Sequence, residues 1–137
     1  MTTKEIANNL VAWCNSGNEE RCYQELYSPN IVSIEPEGSS ENPVAKGMEE
    51  VAKKGEWWRE TFEVHSTKAS EPVVAENWFS IRHEIDSTHK PSGQRSKMSE
   101  ISVYEVKDGK IVKEYGYWDN TAIVLAEMSL KAEAEAL

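Results

Sequence analysis

Helical periodicity ends near residue 62 of this 137-residue chain. From there to residue 119, most of the sequence shows the alternation of apolar and polar residues that is typical of β-strands. The first helix is predicted to begin at a capping box formed by Thr2 and Glu5. A short second helix carries Cys22, and apolar residues spaced by three and four predict a third helix from Gly47 to about Thr61. Helices gathered ahead of consecutive strands favour an α+β domain over an alternating, parallel one.

The strands are predicted from short β-branched runs and from turn residues. Residues 31–35 form the first strand, after Pro29 interrupts the helical region, because proline has no amide hydrogen to donate. Asp108-Gly109 is typical of a two-residue hairpin turn. The later strands form two predicted hairpins, residues 62–74 with 77–86 and residues 95–106 with 110–119. We therefore expect a curved antiparallel sheet around the N-terminal helices, with a small-molecule pocket between the layers.

Another helical stripe follows the last predicted strand. Its apolar residues recur on one side, with glutamates elsewhere, at Ile123, Leu130, Ala134 and Leu137. This pattern predicts a C-terminal helix that lies on the domain. We accordingly divide the chain into a domain at 1–120 and a helical extension at 121–137.

Composition narrows the class of protein. With 39% hydrophobic and 28% charged residues, the chain has the composition of a soluble globular domain, and no apolar run approaches the length of a membrane span. The N-terminus lacks the features of a secretory signal, which predicts a cytoplasmic protein. A net charge of −9 disfavours nucleic acid as a partner.

No metal or cofactor is expected from the spacing of the usual ligands. Cys14 and Cys22 make no CxxC pair, and the three histidines have no HxH or HExxH spacing. The sequence has no phosphate-binding or dinucleotide-binding fingerprint. We therefore predict chemistry, if any, that needs no cofactor.

Three segments resemble a known family. They are A-W-C-N-S-G-N at 12–18, L-Y-S-P-N-I-V-S-I-E-P-E-G at 26–38 and V-K-D-G-K-I-V-K-E-Y at 106–115. Together with the three-helix start, they resemble the SnoaL-like domains of the nuclear transport factor 2-like, or ketosteroid isomerase-like, superfamily. The resemblance implies a cone-shaped sheet, the cystatin-like roll, with a pocket at its mouth and a homodimer formed through the outer sheet face. It implies a fold more than an activity, because the same cone serves isomerases, cyclases, dehydratases and binding modules.

The resemblance also suggests roles for single residues. Glu35 stands at the end of the first strand, before a proline, where ketosteroid isomerases carry their carboxylate base. Leu10 and Ser102 stand where that branch has its two oxyanion donors, so both donors are missing here. Trp118 matches a pocket-lining aromatic, and Asp119 resembles the carboxylate that polyketide cyclases carry near the end of that strand.

Strand alternation adds further candidates. Phe79, Ile81 and His83 share one face of their strand, which is the predicted inward face, and Glu114 shares a face with Trp118. Glu35, His83 and Glu100 are the predicted catalytic residues. The predicted ligand-binding residues are Trp58, Tyr104, Glu114 and Trp118.

A carboxyl group among aromatic and aliphatic side chains loses hydration, so its pKa rises towards the range where a general base works best. Glu35 is then the base, and His83 or Glu100 returns the proton or hydrogen-bonds the developing enolate. The alternatives are that Glu35 is a solvated surface glutamate and His83 a hydrogen-bonded core residue.

Two functions follow from these residues. The first is a small-molecule pocket that performs isomerisation, cyclisation or dehydration on a hydrophobic carbonyl compound. The second is a non-catalytic dimeric module for ligand binding or protein association. The missing oxyanion donors favour the second, and the position of Glu35 favours the first.

Overall fold

The computed structural model describes residues 1–36 and 43–118. Within them the helices are α1 (Thr3–Asn15), α2 (Glu19–Glu25) and α3 (Met48–Thr61). The strands are β1 (Tyr27–Ile34), β2 (Val44–Lys46), β3 (Phe62–Ala69), β4 (Val73–Ala75), β5 (Trp78–His89), β6 (Gln94–Lys107) and β7 (Lys110–Trp118). The predicted C-terminal helix at 121–137 and Asp119 lie outside the described residues.

The strands form one curved, open sheet in the order β2-β1-β7-β6-β5-β3, with β4 also paired to β5. The α+β fold class is confirmed. Most neighbours are antiparallel, but β1 and β7 run parallel, which departs from the wholly antiparallel sheet expected. This parallel pair joins the start of the sheet to its last strand and brings β1 next to the long hairpins.

Local signals located several element ends correctly. The Thr2 hydroxyl accepts from the Glu5 amide at 3.2 Å, and the Thr2 amide donates to the Glu5 carboxylate at 3.0 Å, so the capping box is confirmed. Asp108 and Gly109 have φ values of 51° and 73°, as a type I′ hairpin turn requires. These two features depend only on neighbouring residues.

The start of β1 was predicted wrongly. The strand begins at Tyr27 instead of residue 31, because Tyr27 pairs with Ile111 of β7 and the Ile111 amide donates to the Leu26 carbonyl at 2.8 Å. The register shifts between Tyr27 and Val32, a stretch that includes Pro29. The proline is therefore accommodated inside the strand by an irregularity and does not delay its start.

The first predicted hairpin is divided, and β2 was not predicted. Residues 70–72 separate β3 from β4, and both strands pair with β5. β5 continues to His89 and β6 begins at Gln94, so the turn between them is shorter than the gap between the predicted strands at 77–86 and 95–106. β2 has only three residues, too few for a pattern of alternation.

The core lies between α1, α2 and one face of the sheet, here called the inner face. α1 contributes Ile6, Ala7 and Leu10, and the inner face contributes residues such as Phe79 and Ile81, all of them buried. None of the helices within residues 1–36 and 43–118 is long and apolar enough to cross a membrane.

Candidate functional site

Strand register gathers the predicted polar residues on the inner face. Glu114 of β7 is paired with Tyr104 of β6 and with Ser33 of β1. Glu100 of β6 is paired with His83 of β5. Directly paired side chains on one face lie about 5 Å apart, so these pairs form two rows of polar groups on the inner face, with the Ser102–Gly116 pair between them.

A lysine of α3 closes over this face. The Lys54 ammonium lies 2.8 Å from Glu35 Oε1 and donates to Ser33 Oγ at 3.0 Å. The side chains of Lys54 and Glu35 are only 15% and 18% exposed. The Glu35 amide donates to the Pro43 carbonyl at 2.8 Å, which fixes the backbone just after β1. The ion pair is therefore held between a helix and the end of a strand.

The hydrogen bonds continue from Lys54 into the protein. Ser33 accepts from Lys54 and donates its own proton to Glu114 Oε1 at 2.8 Å. The Tyr27 hydroxyl donates to the other oxygen, Glu114 Oε2, at 2.5 Å. Both oxygens of Glu114 thus accept a hydrogen bond at the inner end of this chain.

The electrostatics of the site centre on Glu100. The pKa of Glu100 is raised to about 7, chiefly by burial and also by the charges of Glu35 and Glu114, while the Ser102 hydrogen bond and the charge of Lys54 oppose the rise. The Ser102 hydroxyl donates to Glu100 Oε1 at 2.6 Å. Near neutral pH, Glu100 therefore exists in both protonated and ionised forms. We call Glu35, Lys54, Glu100 and Glu114 the inner cluster.

Glu35 and His83 are also shifted by burial. Burial raises the pKa of Glu35, while the charge and hydrogen bond of Lys54 oppose the rise. Burial lowers the pKa of His83, so its ring is neutral at pH 7. The His83 Nε2 atom lies 3.4 Å from the Tyr104 hydroxyl, a long contact, and the buried Tyr104 ring stacks on Phe79 at 4.6 Å.

The two predicted tryptophans are placed differently. Trp58 lies four residues after Lys54 on α3 and stacks on Phe62 with 4.3 Å between ring centroids. Trp118 is paired in register with Glu100 at the end of β7, and its side chain lies outside what the structure describes. The structure thus brings Glu35, Glu100 and Glu114 into one cluster, with His83 and Tyr104 beside it. It gives no contact between these residues and Trp58.

A small opening adjoins the cluster at Glu35. It has a volume of about 120 Å³ and is lined by Ile34, Glu35, Pro36, Tyr115, Gly116 and Tyr117. This is smaller than the several hundred Å³ of most ligand pockets. Ile34, Tyr115 and Tyr117 alternate along their strands with the inner-face residues Ser33 and Glu114, so the opening lies at the end of the sheet on the side away from Lys54.

Lys54, Ser33 and Tyr27 were missed by sequence reasoning. A signal for Lys54 was present, because it lies three residues after Val51 and four before Trp58, on the apolar stripe of α3. A lysine on such a stripe needs a buried partner. Ser33 and Tyr27 had no comparable signal. The described residues hold no group of three or more His, Cys, Asp or Glu side chains placed for a metal ion.

The sequence model of the SnoaL-like domain matches residues 1–118. A solved structure from Mesorhizobium loti, described provisionally as a SnoaL-like polyketide cyclase, is 32% identical, with a TM-score of 0.81 over 85% of this chain and 99% of that one. An NTF2-like protein from Burkholderia thailandensis is 16% identical, with a TM-score of 0.80 over 93% and 98% of the two chains. A protein of unknown function with a cystatin-like fold, from Xanthomonas campestris, is 20% identical, with a TM-score of 0.73 over 92% and 97%. No curated protein matches this chain in sequence.

Proposed function

Since the chain belongs to the SnoaL-like domain family, we propose that its inner cluster binds a small hydrophobic carbonyl compound and performs acid/base chemistry on it without a cofactor. The observation that carries this proposal is the pairing of two roles in one cluster. Glu35 is held as an ion pair with Lys54, whereas Glu100 has a pKa raised by burial to about 7. One carboxyl is thus available as a base while the other can supply a proton.

The chemistry begins with Glu35 in the inner cluster, beside Lys54. Its carboxylate removes a proton from the carbon next to the carbonyl group, and Glu100 in its protonated form supplies a proton elsewhere on the substrate. These two proton transfers together can bring about isomerisation, cyclisation or dehydration. The neutral ring of His83 assists proton return, and the buried ring of Tyr104 forms part of an apolar wall. The Mesorhizobium loti protein, which is 32% identical to this chain, is described provisionally as a polyketide cyclase, and this supports the same class of reaction here.

A thermal-shift screen of the wild type and Glu35→Gln tests the proposal. The panel contains steroids, polyketide-like aromatics, small enones, 2-tetralone and fatty acids. A ligand that binds the folded state raises the melting temperature by mass action. We expect wild type to accelerate hydrogen–deuterium exchange at the activated carbon of 2-tetralone, and Glu35→Gln to lose about 100-fold or more of that rate.

Glu49→Gln is the matched control, because the Glu49 side chain is 89% exposed on α3. It should bind and exchange as the wild type does. Exchange at the buffer rate for wild type, or equal rates for wild type and Glu35→Gln, would contradict the catalytic proposal.

The second candidate function is a dimeric binding or association module. The face of the sheet opposite the inner face, here called the outer face, carries a stripe of aromatic and aliphatic residues. The Tyr115 ring lies 6.4 Å from both the Trp78 and the Tyr117 rings, and Tyr117 and Ile101 are 58% and 51% exposed. Such a stripe favours a homodimer through this face. The oligomeric state in solution tests this proposal.

A further inference from the structure

Lys54 is a charged residue on a face of α3 that otherwise packs inward. Val51 is buried three residues before it, and Trp58 stacks on Phe62 four residues after it. Burying an ammonium group is costly unless charged or polar partners compensate. Glu35 and Ser33 provide that compensation at 2.8 and 3.0 Å. The position of Lys54 is thus tied to the group that the proposed reaction uses as its base.

A base that removes a carbon-bound proton leaves negative charge on the carbonyl oxygen, and that charge needs a donor nearby. Three hydroxyl donors of the site are already engaged, because Ser102 donates to Glu100 and both Ser33 and Tyr27 donate to Glu114. The Tyr104 hydroxyl lies 3.4 Å from the Nε2 atom of His83. Lys54 has three N–H donors, and within residues 1–36 and 43–118 the structure gives it two partners. It is also the cation of the inner cluster.

We propose that Lys54 is a catalytic residue that binds the enolate oxygen formed when Glu35 removes the proton; this inference rests on the proposed function. In the step, the carbon–hydrogen bond breaks, an oxygen–hydrogen bond forms on Glu35, and the electron pair moves to the carbonyl oxygen. Glu35 becomes neutral as the substrate becomes anionic. The Lys54 ammonium therefore keeps one anionic partner throughout, exchanging the Glu35 carboxylate for the enolate, and loses no proton itself.

The same charges define the substrate class. The inner cluster holds three carboxyl groups and one ammonium group, so an anionic substrate would add charge of the sign already in excess. A neutral carbonyl compound enters without that penalty, and its negative charge arises only where Lys54 is placed to receive it. The substrate is therefore a neutral ketone or aldehyde, and carboxylates of similar shape are excluded.

The test uses 2-naphthol, whose ionised form resembles the enolate of 2-tetralone and absorbs at a longer wavelength than the neutral form. Glu35→Gln resembles the state in which Glu35 has taken the proton, so Lys54 is released from its carboxylate partner. We expect Glu35→Gln to bind ionised 2-naphthol about tenfold or more tightly than wild type does. The double variant Glu35→Gln/Lys54→Met should lose this gain.

Lys53→Met in the same Glu35→Gln background is the matched control, because the Lys53 side chain is 73% exposed one residue away. It should keep the gain. The Glu35→Gln background also avoids leaving a buried carboxylate without its cation, so the double variant is expected to fold; circular dichroism checks this. Lys54→Arg, which keeps the charge, should retain binding of the ionised form.

Turnover separates this inference from the proposed function. In 2-tetralone exchange, Lys54→Met should reduce the rate by about 100- to 1000-fold, as the loss of one oxyanion donor does elsewhere. Exchange that requires Glu35 but is unchanged in Lys54→Met would overturn the role of Lys54 and leave the proposed function standing. Absence of Glu35-dependent exchange would overturn the proposed function. Equal binding of ionised 2-naphthol by Glu35→Gln with and without Lys54, or no binding by either, would overturn the inference whatever the exchange shows.

Discussion

At the scale of single residues, Glu100 links the charge of the inner cluster to stability. Burial raises its pKa to about 7, whereas an unfolded glutamate titrates near the ordinary value of 4.5. The folded state therefore binds more protons than the unfolded state between these two values, and stability falls as pH rises through this range. The contribution of Glu100 is fully present below about pH 4.5 and is lost above about pH 7.

Glu100→Gln should remove this pH dependence, since glutamine resembles the protonated acid. We expect the variant to be more stable than wild type at pH 8, by on the order of 2–3 kcal/mol, and the difference to vanish near pH 4.5. Urea unfolding at several pH values measures it. Glu63→Gln, at an exposed position of β3, should follow the wild-type curve. Parallel curves for wild type and Glu100→Gln would show that Glu100 is ionised in the folded state at neutral pH.

Residue identities predicted only part of the site. Glu35, Glu100 and Glu114 were predicted from strand alternation and from a family position, and all three belong to the inner cluster. Their roles stay predictions. Lys54 was missed because its partner Glu35 is 19 positions away in sequence, and a helical stripe does not show which strand end it will cover. Non-local ion pairs of this kind depend on the register of the whole sheet.

At the scale of elements, the ends of helices and strands were predicted correctly where they depend on residues that are close together in the sequence. The capping box and the Asp108-Gly109 turn involve residues no more than three apart, and both were predicted. The start of β1 at Tyr27 depends on pairing with Ile111, 84 positions later. β2 exists only because Val44–Lys46 pairs with β1. Strands defined by a distant partner carry little local signal.

Asn15 links α1 to β3 and gives a test at the scale of elements. At the end of α1 its side chain donates to the Ala69 carbonyl at 3.0 Å and accepts from the Ala69 amide at 2.8 Å. Asn15→Ala removes both bonds and leaves the end of β3 without these partners. We expect a loss of about 1–3 kcal/mol in the free energy of unfolding and faster hydrogen exchange at the Ala69 amide.

Asn8→Ala is the control for this substitution, because Asn8 is exposed on the same helix. Its effect should stay within roughly 0.5 kcal/mol. Equal effects of the two substitutions in urea unfolding would mean that the Asn15 bridge adds nothing to stability.

At the scale of the whole molecule, the two proposed functions belong to different faces of the sheet. The inner face is covered by α1 and holds the charged cluster, while the outer face displays Ile101 and Tyr117. The chemistry proposed for one face does not require the other. Tyr115 and Tyr117 line the opening next to Glu35 and also belong to the outer-face stripe, so a dimer formed through the outer face would contact one side of that opening. The state of assembly could therefore alter access to that opening.

Ile101→Glu tests the outer face, because it places a charge in the middle of the aromatic stripe, where a dimer would bury it without a partner. We expect the wild type to sediment as a dimer and the variant as a monomer with unchanged secondary structure. Val64→Glu is the matched control: Val64 is 40% exposed on β3, and its partner Ser87 faces inward, so the substitution lies away from the stripe. It should leave the dimer intact.

A monomeric wild type would rule out the homodimer, and a dimer that survives Ile101→Glu would place the interface elsewhere. If the Ile101→Glu monomer still exchanges 2-tetralone at the wild-type rate, each inner cluster works alone, and the outer face serves assembly only.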